Sequence, residues 1–419
     1  DHRDLHSFPT RRSSDLKNQS TAILFGQAGL DPLPFDADGE GLLSVKLNGT
    51  LGSPVSTDFR FSTERTHFSA NGSFSLASES FGQGSADVAL ESADIEPYLI
   101  MNAVGLPQLG GGMSTKVNGK LSVDKDKATV SALAGQAGGN GFSGNLSVLR
   151  VAPYKVTGDL ALNTVDLAWL GDTIYGPVID PESGALSAKP VSLPAFPKLD
   201  ASLAIKAATF QTGTFGDVNG LSFVFNHANG TLSLDDMTGD WMGGKVSGRL
   251  SMATGDGAGI FRTKIAVSGA NPESVMWKSG ETPVASGRFA IDLSAEATGK
   301  SVAELLSNAG GSGQIRTGGL VLRGLNQAAF QPWLEAANAL QGTIDAAKIR
   351  PLVDAQLWKG EIPLGEVAMP FTINDGSLRM QNVFASTPQL AFDGDLLLDI
   401  ADETLTGEVD LLYKAGTEE

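Results

Sequence analysis

The residues able to do chemistry are few, and their spacing argues against catalysis. Of four histidines only His67 and His227 lie beyond the first ten residues, far apart in the chain, and there is no cysteine. A zinc site takes three or four clustered ligands, and a hydrolytic triad needs a nucleophile beside an oriented base. Two histidines far apart in the chain argue against both. Asp36-Ala-Asp38-Gly-Glu40-Gly41 opens like a calcium loop, but its twelfth position is Leu47 where a bidentate Glu is required. Gly139-Asn-Gly141-Phe-Ser-Gly144 matches the dinucleotide fingerprint, yet a strand pattern follows where the pyrophosphate needs a helix N-terminus. No G-x-S-x-G elbow or lysine-bearing phosphate loop occurs. Asp393 and Asp395 flank Gly394 on the polar side of a strand pattern, where they read as solubilising. These residues predict no enzyme, no cofactor and no metal.

What must position any site is a short pattern that recurs ten times: apolar–polar–Gly–polar–apolar–x–apolar. Phe142-Ser-Gly144-Asn-Leu146-Ser-Val148, Val246-Ser-Gly248-Arg-Leu250-Ser-Met252 and Leu405-Thr-Gly407-Glu-Val409-Asp-Leu411 are full copies. The same core surrounds Gly49, Gly72, Gly119, Gly158, Gly230, Gly287 and Gly394. Strict alternation marks a strand with one wet and one dry face, and period two puts each Gly on the dry face. Glycine inside a strand marks a bend or a close approach. The pattern predicts a long sheet that curls and leaves space along its apolar side. The spacings, from 13 to 107 residues, have no fixed period, which excludes a propeller or a regular β-helix. An irregular antiparallel meander fits instead.

Along the chain, strands are predicted at Leu43–Leu47, Phe59–Phe61, Phe74–Leu76 and Ala86–Leu90, with Gly52-Ser-Pro54 and Asn71-Gly72 as turns. Short helices are predicted at Asp94–Leu99, Asp166–Leu170 and Asn271–Val275, with Asp94 as a cap. Ser301-Val-Ala-Glu304 reads as a capping box. Helical stretches are expected around Phe330–Ala337 and Ile349–Leu357, making a helical insertion near 301–358. The Pro-rich run 176–199 is the internal linker candidate. The predicted organisation is a foreign or disordered tail over 1–16, β-groove units over 17–180 and 181–284, and a C-terminal module over 285–419. His6-Ser-Phe-Pro-Thr-Arg-Arg-Ser-Ser-Asp-Leu16 is basic, lacks alternation and resembles a translated sequencing adapter. On that reading the natural start is missing, and any signal or anchor with it.

Composition narrows the class further. Glycine is 51 of 419 residues, about 12% against the usual roughly 7%, while hydrophobic content is ordinary, so the chain folds. A net charge of −17 argues against nucleic acid, whose phosphates need Lys and Arg. No apolar run reaches the ~18 residues that span a bilayer. Absence of cysteine is compatible with an oxidising compartment. Trp169, Trp333 and Trp358 fall in helical segments and read as core anchors.

The region from about 285 to 415 resembles the C-terminal part of the AsmA-like family. The resemblance rests on the order of features: Phe289-Ala-Ile-Asp-Leu293, Ser301–Leu306, Gly310-Gly-Ser-Gly313, Val321–Leu325, a helical insertion, Phe371–Leu378 and Leu390–Leu396. The strand-plus-short-helix units upstream are similar to that family's repeats. The resemblance implies a periplasmic envelope protein of Gram-negative bacteria, its parent anchored in the inner membrane by a helix not present in this chain. It also implies a role in outer-membrane assembly and phospholipid movement along an apolar groove, with no catalytic residues.

The sheet pattern supports a groove independently. An antiparallel sheet keeps one face in water and must cover the other, and few long helices are available to cover it. Acyl chains could fill it, since exposing a sixteen-carbon tail to water costs roughly 0.8 kcal/mol per CH₂, over 10 kcal/mol in all. The fold expected is therefore mainly β, a long curved antiparallel meander forming an open, taco-like groove with a few short helices. Candidate lining residues are Phe74, Leu76, Leu121, Phe142, Leu146, Val148, Leu160, Leu203, Ile205, Leu250, Phe289, Ile291, Phe392 and Leu396. The partner expected is phospholipid or another membrane lipid, with envelope proteins as further partners. Alternatives are a non-catalytic envelope scaffold whose dry face is filled by its own side chains, and an extracellular adhesin binding glycans through Trp241 or Trp277.

Overall fold

The computed structural model describes residues 10–31, 39–50, 53–102, 104–107, 110–150, 154–192, 200–271, 273, 276, 278–339, 350–351, 360–400 and 404–414. Strands follow one another almost without interruption. The first group is β1 Thr10–Asn18, β2 Gly41–Gly49, β3 Val55–Ser62, β4 Thr66–Phe74, β5 Gly84–Ser92, β6 Thr115–Val123, β7 Lys127–Ala137, β8 Asn140–Leu149 and β9 Lys155–Asp166. The second is β10 Asp200–Gln211, β11 Val218–Ala228, β12 Thr231–Trp241, β13 Gly244–Gly255, β14 Ala258–Ala270, a small hairpin β15 Lys278–Ser279 and β16 Thr282–Pro283, then β17 Ala285–Gly299 and β18 Gly310–Arg323. The last is β19 Glu361–Gly365, β20 Ala368–Asn374, β21 Ser377–Ser386, β22 Leu390–Asp399 and β23 Thr404–Tyr413. All but β15 and β16 join one 21-stranded sheet, in which β19 and β20 lie end to end along β18, so the sheet is 20 strands wide. It is open, with β1 and β23 at its edges.

The expected meander has one exception. β9 and β10 pair in parallel, Lys155 to Asp200 through Asp166 to Gln211. A parallel neighbour requires a crossover, and the Pro-rich run belongs to it. The described part of that run is no loose linker. Val191 N–H donates to Lys300 O, Ala303 N–H donates to Ser187 O, and Ser187 is buried. The sheet is continuous across the expected boundary near residue 180.

Two-residue hairpin loops explain much of the meander. Gly138-Gly139, Asn229-Gly230, Met242-Gly243, Asp256-Gly257 and Asp375-Gly376 all have positive φ at both positions. That is the turn whose twist matches its flanking strands. Gly230 is thus a turn residue, not a strand residue. Asn71-Gly72, expected as a turn, lies inside β4.

The dry-face glycines are close approaches and not gaps. A Cβ on Gly72 would overlap the Ser85 carbonyl, one on Gly144 the Asp159 carbonyl and one on Gly158 the Asn145 carbonyl. Gly144 and Gly158 both have φ of 151°, a conformation side chains resist. Space is also taken from the side: a Cβ on Gly119 would lie 2.7 Å from Val130 Cγ1. The glycines let strands press together and coil, so the expected space at each Gly is filled by its neighbour.

Three glycines sit in a recurring device. Opposite Gly144, Gly248 and Gly394 the partner strand carries a bulge, with the register skipping between Val130 and Leu133, Leu234 and Met237, and Met380 and Val383. The skipped residues Ala132, Asp236 and Asn382 each have φ near +50°. Bulges sharpen twist and bend. The three units are therefore copies of one bend at irregular intervals.

The helices are short: α1 Thr21–Gln27, α2 Glu96–Met101, α3 Leu167–Tyr175, α4 Val302–Ser307 and α5 Phe330–Ala339. Asp166 caps α3, accepting from Trp169 N–H at 2.8 Å, and Ser301 caps α4, accepting from Glu304 N–H at 3.1 Å. Asp94, expected as the cap of α2, stands one residue too early: Ile95 holds the cap position without a side-chain bond, and Asp94 accepts from Glu96 N–H at 3.0 Å in the turn before the helix. The insertion expected near 301–358 is interrupted by β18, so α4 and α5 are separate; the stretch 352–357 lies outside the described residues, as do Gly52 and most of 271–277. Residues 10–16, expected to be disordered, form most of edge strand β1, in register with β2 from Thr10–Gly49 to Asn18–Gly41. Backbone pairing needs no alternation, and Arg12 to Asp15 are exposed, while Leu16 packs on the cluster around Leu24 and Phe25.

Candidate functional site

Antiparallel register turns the dry face into rows that cross the strands. One row runs Gly72, Ala86, Leu121, Val130, Leu146, Gly158, Leu203, Phe225, Leu234, Leu250, each residue the direct partner of the next. Neighbouring strands are ~4.8 Å apart, so a row is a ladder of apolar rungs along the sheet's long axis. Leu121, Leu146, Leu203 and Leu250 all stand on this row. Phe74 and Val148 belong to the row beside it, through Gly84, Val123 and Ala128.

The face is covered unevenly. Over β10–β17 it is buried by the crossover. Leu170, Ile174 and Tyr175 of α3 join Phe210, Leu221, Leu232, Leu234, Leu250 and their neighbours in one cluster, with Leu305 of α4. Ile174 is fully buried, and the Tyr175 hydroxyl donates to Ile260 O at 2.5 Å. Burial raises the pKa of that hydroxyl, which holds it neutral as a donor. At the other end α1 and α2 cover β2–β4, where Leu24, Phe25 and Phe61 form a second cluster that Tyr98 packs against. A third, around Phe330, Ile362 and Leu390, lies at the C-terminal side.

Between the first two clusters the face is left half-covered. In β9 exposed and half-buried residues alternate from Lys155 to Thr164. Phe74, Leu76, Leu121, Phe142, Leu146 and Val148 are all half-buried and belong to none of the clusters. Leu76 is not in a strand but in the turn after β4. Ile205 and Leu250 are buried core residues; Leu160, Leu203, Phe289 and Ile291 pack against the same cluster, and Phe392 against the third. Leu396 is half-buried on the C-terminal arm, and on edge strand β23 the apolar face is open, with Val409 55% exposed. The structure thus brings five of the fourteen together on β4–β8, with Leu76 next to them in sequence. It adds Val88, Val117, Val123, Val130 and Val156, half-buried on the same face. Their alternation carries the same signal as the residues named from sequence.

Polar chemistry near this face is structural. Glu96 is buried, and its carboxylate accepts from Gly110 and Gly112 N–H at 2.9 and 3.3 Å, pinning a loop. Among the described residues no group of three or more His, Asp or Glu could hold a metal ion. Asp36 and Asp38 of the calcium-like motif lie outside the described residues, while Glu40 pairs with Lys17 at 2.7 Å. Asp393 is exposed, as expected, and Asp395 accepts from the Asn382 bulge N–H at 2.9 Å. Trp169 is 40% exposed and no core anchor, because α3 turns its Leu170 and Ile174 face to the sheet. Trp241 packs edge-on to Phe289 at 5.9 Å and donates to Phe215 O. Trp277, Trp358 and the side chain of Trp333 lie outside the described residues.

Among the described residues no helix is long and apolar enough to cross a membrane. The fold and the site together define an open, coiled β-sheet protein with a partly uncovered apolar face. No protein-family model, curated protein or solved structure matches this chain.

Proposed function

We propose that this chain is part of an AsmA-like envelope protein that holds phospholipid acyl chains on the dry face of β4–β9 and so supports outer-membrane assembly. The proposed location is the periplasm, the parent protein being anchored in the inner membrane. One observation carries the reading: an in-register apolar face, half-exposed at Phe74, Leu121, Phe142, Leu146 and Val148, bounded by two helix-covered cores. Leaving it in water costs free energy at ~25 cal/mol per Å², and a lipid tail would cover it. The filled centre favours holding a chain over uninterrupted passage along the sheet. No catalytic role is proposed. The test is lipid extraction and mass spectrometry of the purified full chain, with uptake of a fluorescent phospholipid. Co-purifying phospholipid is expected; its absence together with no uptake would sink the reading.

A second reading, a non-catalytic envelope scaffold with protein partners, is favoured by α3 filling the central trough with the chain's own side chains. It predicts partner capture through the open edges and no lipid. The glycan-binding alternative gains nothing from Trp241, whose indole N–H and ring are engaged within the protein.

A further inference from the structure

The wet face carries a basic concavity that neither the apolar groove nor the scaffold reading uses. A hollow of about 530 Å³ lies over β12–β18. Arg249, Arg262 and Lys264 line it together with the serines Ser251, Ser294 and Ser312. Arg249 and Lys264 are direct cross-strand partners, and Arg262 lies two residues along the same strand face from Lys264. Like charges placed directly opposite destabilise a sheet, and this pair sits in a chain of net charge −17.

Two carboxylates, Asp235 and Glu296, also line the hollow, and both are occupied. Asp235 accepts from Asn226 Nδ2 at 2.9 Å and from Ser233 Oγ at 2.6 Å, while Glu296 faces Arg262 at 3.7 Å. Among the described residues no carboxylate comes within 4.0 Å of the Arg249 or Lys264 side-chain nitrogens.

The bulge-and-glycine device makes Arg249 stand out. In two of its copies the residue after the glycine accepts the bulge N–H: Asn145 Oδ1 from Ala132 at 3.2 Å, and Asp395 Oδ1 from Asn382 at 2.9 Å. In the third copy the residue after Gly248 is Arg249, whose side chain has no acceptor atom. An acceptor has been exchanged for a cation at the place where a second cation faces it.

We propose that Arg249, Lys264 and Arg262 form a binding site for a phosphate group, with the serine hydroxyls as additional donors. A tetrahedral dianion or a diester would bridge the opposed cations and remove their repulsion, with the Arg249 fork supplying two parallel N–H donors. The site lies on the face opposite the apolar groove, so the two can fail separately.

The test is thermal unfolding of the full chain in sodium phosphate against sodium chloride at matched ionic strength, with calorimetric titration of inorganic phosphate and glycerol phosphate. Phosphate is expected to raise Tm in a saturable way in the wild type. Arg249→Asn restores the acceptor of the sister copies, so it should fold at least as stably, yet lose on the order of tenfold in phosphate affinity. Lys264→Gln should lose a similar factor, whereas Arg316→Gln, outside the hollow, should lose none. Vesicles of phosphatidylglycerol against phosphatidylcholine separate the sources. Sedimentation that depends on Arg249 assigns a lipid headgroup, and phosphate binding without sedimentation assigns a soluble phosphate ester. No saturable shift in the wild type, or an equal shift in Arg249→Asn, would overturn the site.

Discussion

Replacing Leu121 and Leu146 together by Asn tests whether the half-exposed face is a lipid surface or merely an imperfect core. The two stand on one row with Val130 between them, and both are half-buried. Full burial of a leucine is worth roughly 1.5–3 kcal/mol. A side chain already partly wet has only a share of that at stake, about 1 kcal/mol of folding stability per site. A bound acyl chain loses more. If each leucine covers two methylenes, at ~0.8 kcal/mol each, the pair removes about 3 kcal/mol of binding. That is on the order of a hundredfold in affinity. The assay is titration of a pyrene-labelled phospholipid into wild type, the double variant and Ile205→Ala. Ile205 is a buried residue of the central cluster. Its truncation should cost about 2–5 kcal/mol in stability while leaving lipid affinity within about threefold. A double variant that binds within threefold of wild type, or an Ile205→Ala loss that equals it, would refute the reasoning.

Other perturbations probe the frame. Gly158→Ala should destabilise by at least ~1–3 kcal/mol, because its φ is one only glycine adopts readily and its Cβ would meet the Asn145 carbonyl. Gly26→Ala, in α1 with open space around it, should instead stabilise by up to ~1 kcal/mol by chemical denaturation. Burial, aided by Asp166, raises the Asp172 pKa against the pull of the Val178 N–H. Its stabilisation is therefore full below the ordinary carboxylate value and fades as pH rises through the raised one. Asp172→Asn keeps the acceptor for Val178 and should flatten that part of the Tm–pH curve. Asp180 has the opposite sign. The N–H groups of Glu182 and Ser183, with Lys189, lower its pKa, so its contribution holds above the ordinary value and is lost as pH falls through the lowered one.

The strands and their wet and dry faces were legible because alternation needs only nearest neighbours. Phe142, Leu146 and Val148 point together for the same reason that Ser143, Asn145 and Ser147 do not. Caps at Asp166 and Ser301 were equally local. The parallel joint between β9 and β10 was not legible, since nothing within either strand records which neighbour it takes. The Pro-rich run looked like a linker because prolines mark any chain that leaves a sheet, whether it goes out to solvent or back across a face. The glycines are legible as a pattern, but their effect on the dry face is not. A missing side chain in sequence suggests room, and only the position of the facing carbonyl shows that the room is taken.

That parallel joint decides where the sheet can be open. Hairpins return the chain at the sheet's end and put nothing across its face, so twenty strands joined only by hairpins would leave the whole dry side bare. A crossover must carry the chain from one end of the strands to the other, and here it lies along the dry side as α3, over β10–β17. The central covering is thus placed by topology, and the stretch between it and the α1–α2 cluster stays half-covered because neither crossover nor helix passes it. Ile174 is the keystone of this covering, with no exposed surface. Ile174→Ala should lower stability by about 2–5 kcal/mol through the cavity it leaves, read by urea denaturation. Phospholipid affinity, set on β4–β9, should stay within twofold. If the same variant instead gains lipid stoichiometry, the centre admits acyl chains when its own filling is loosened. In that case the covered middle is a gate between two arms and not a fixed wall.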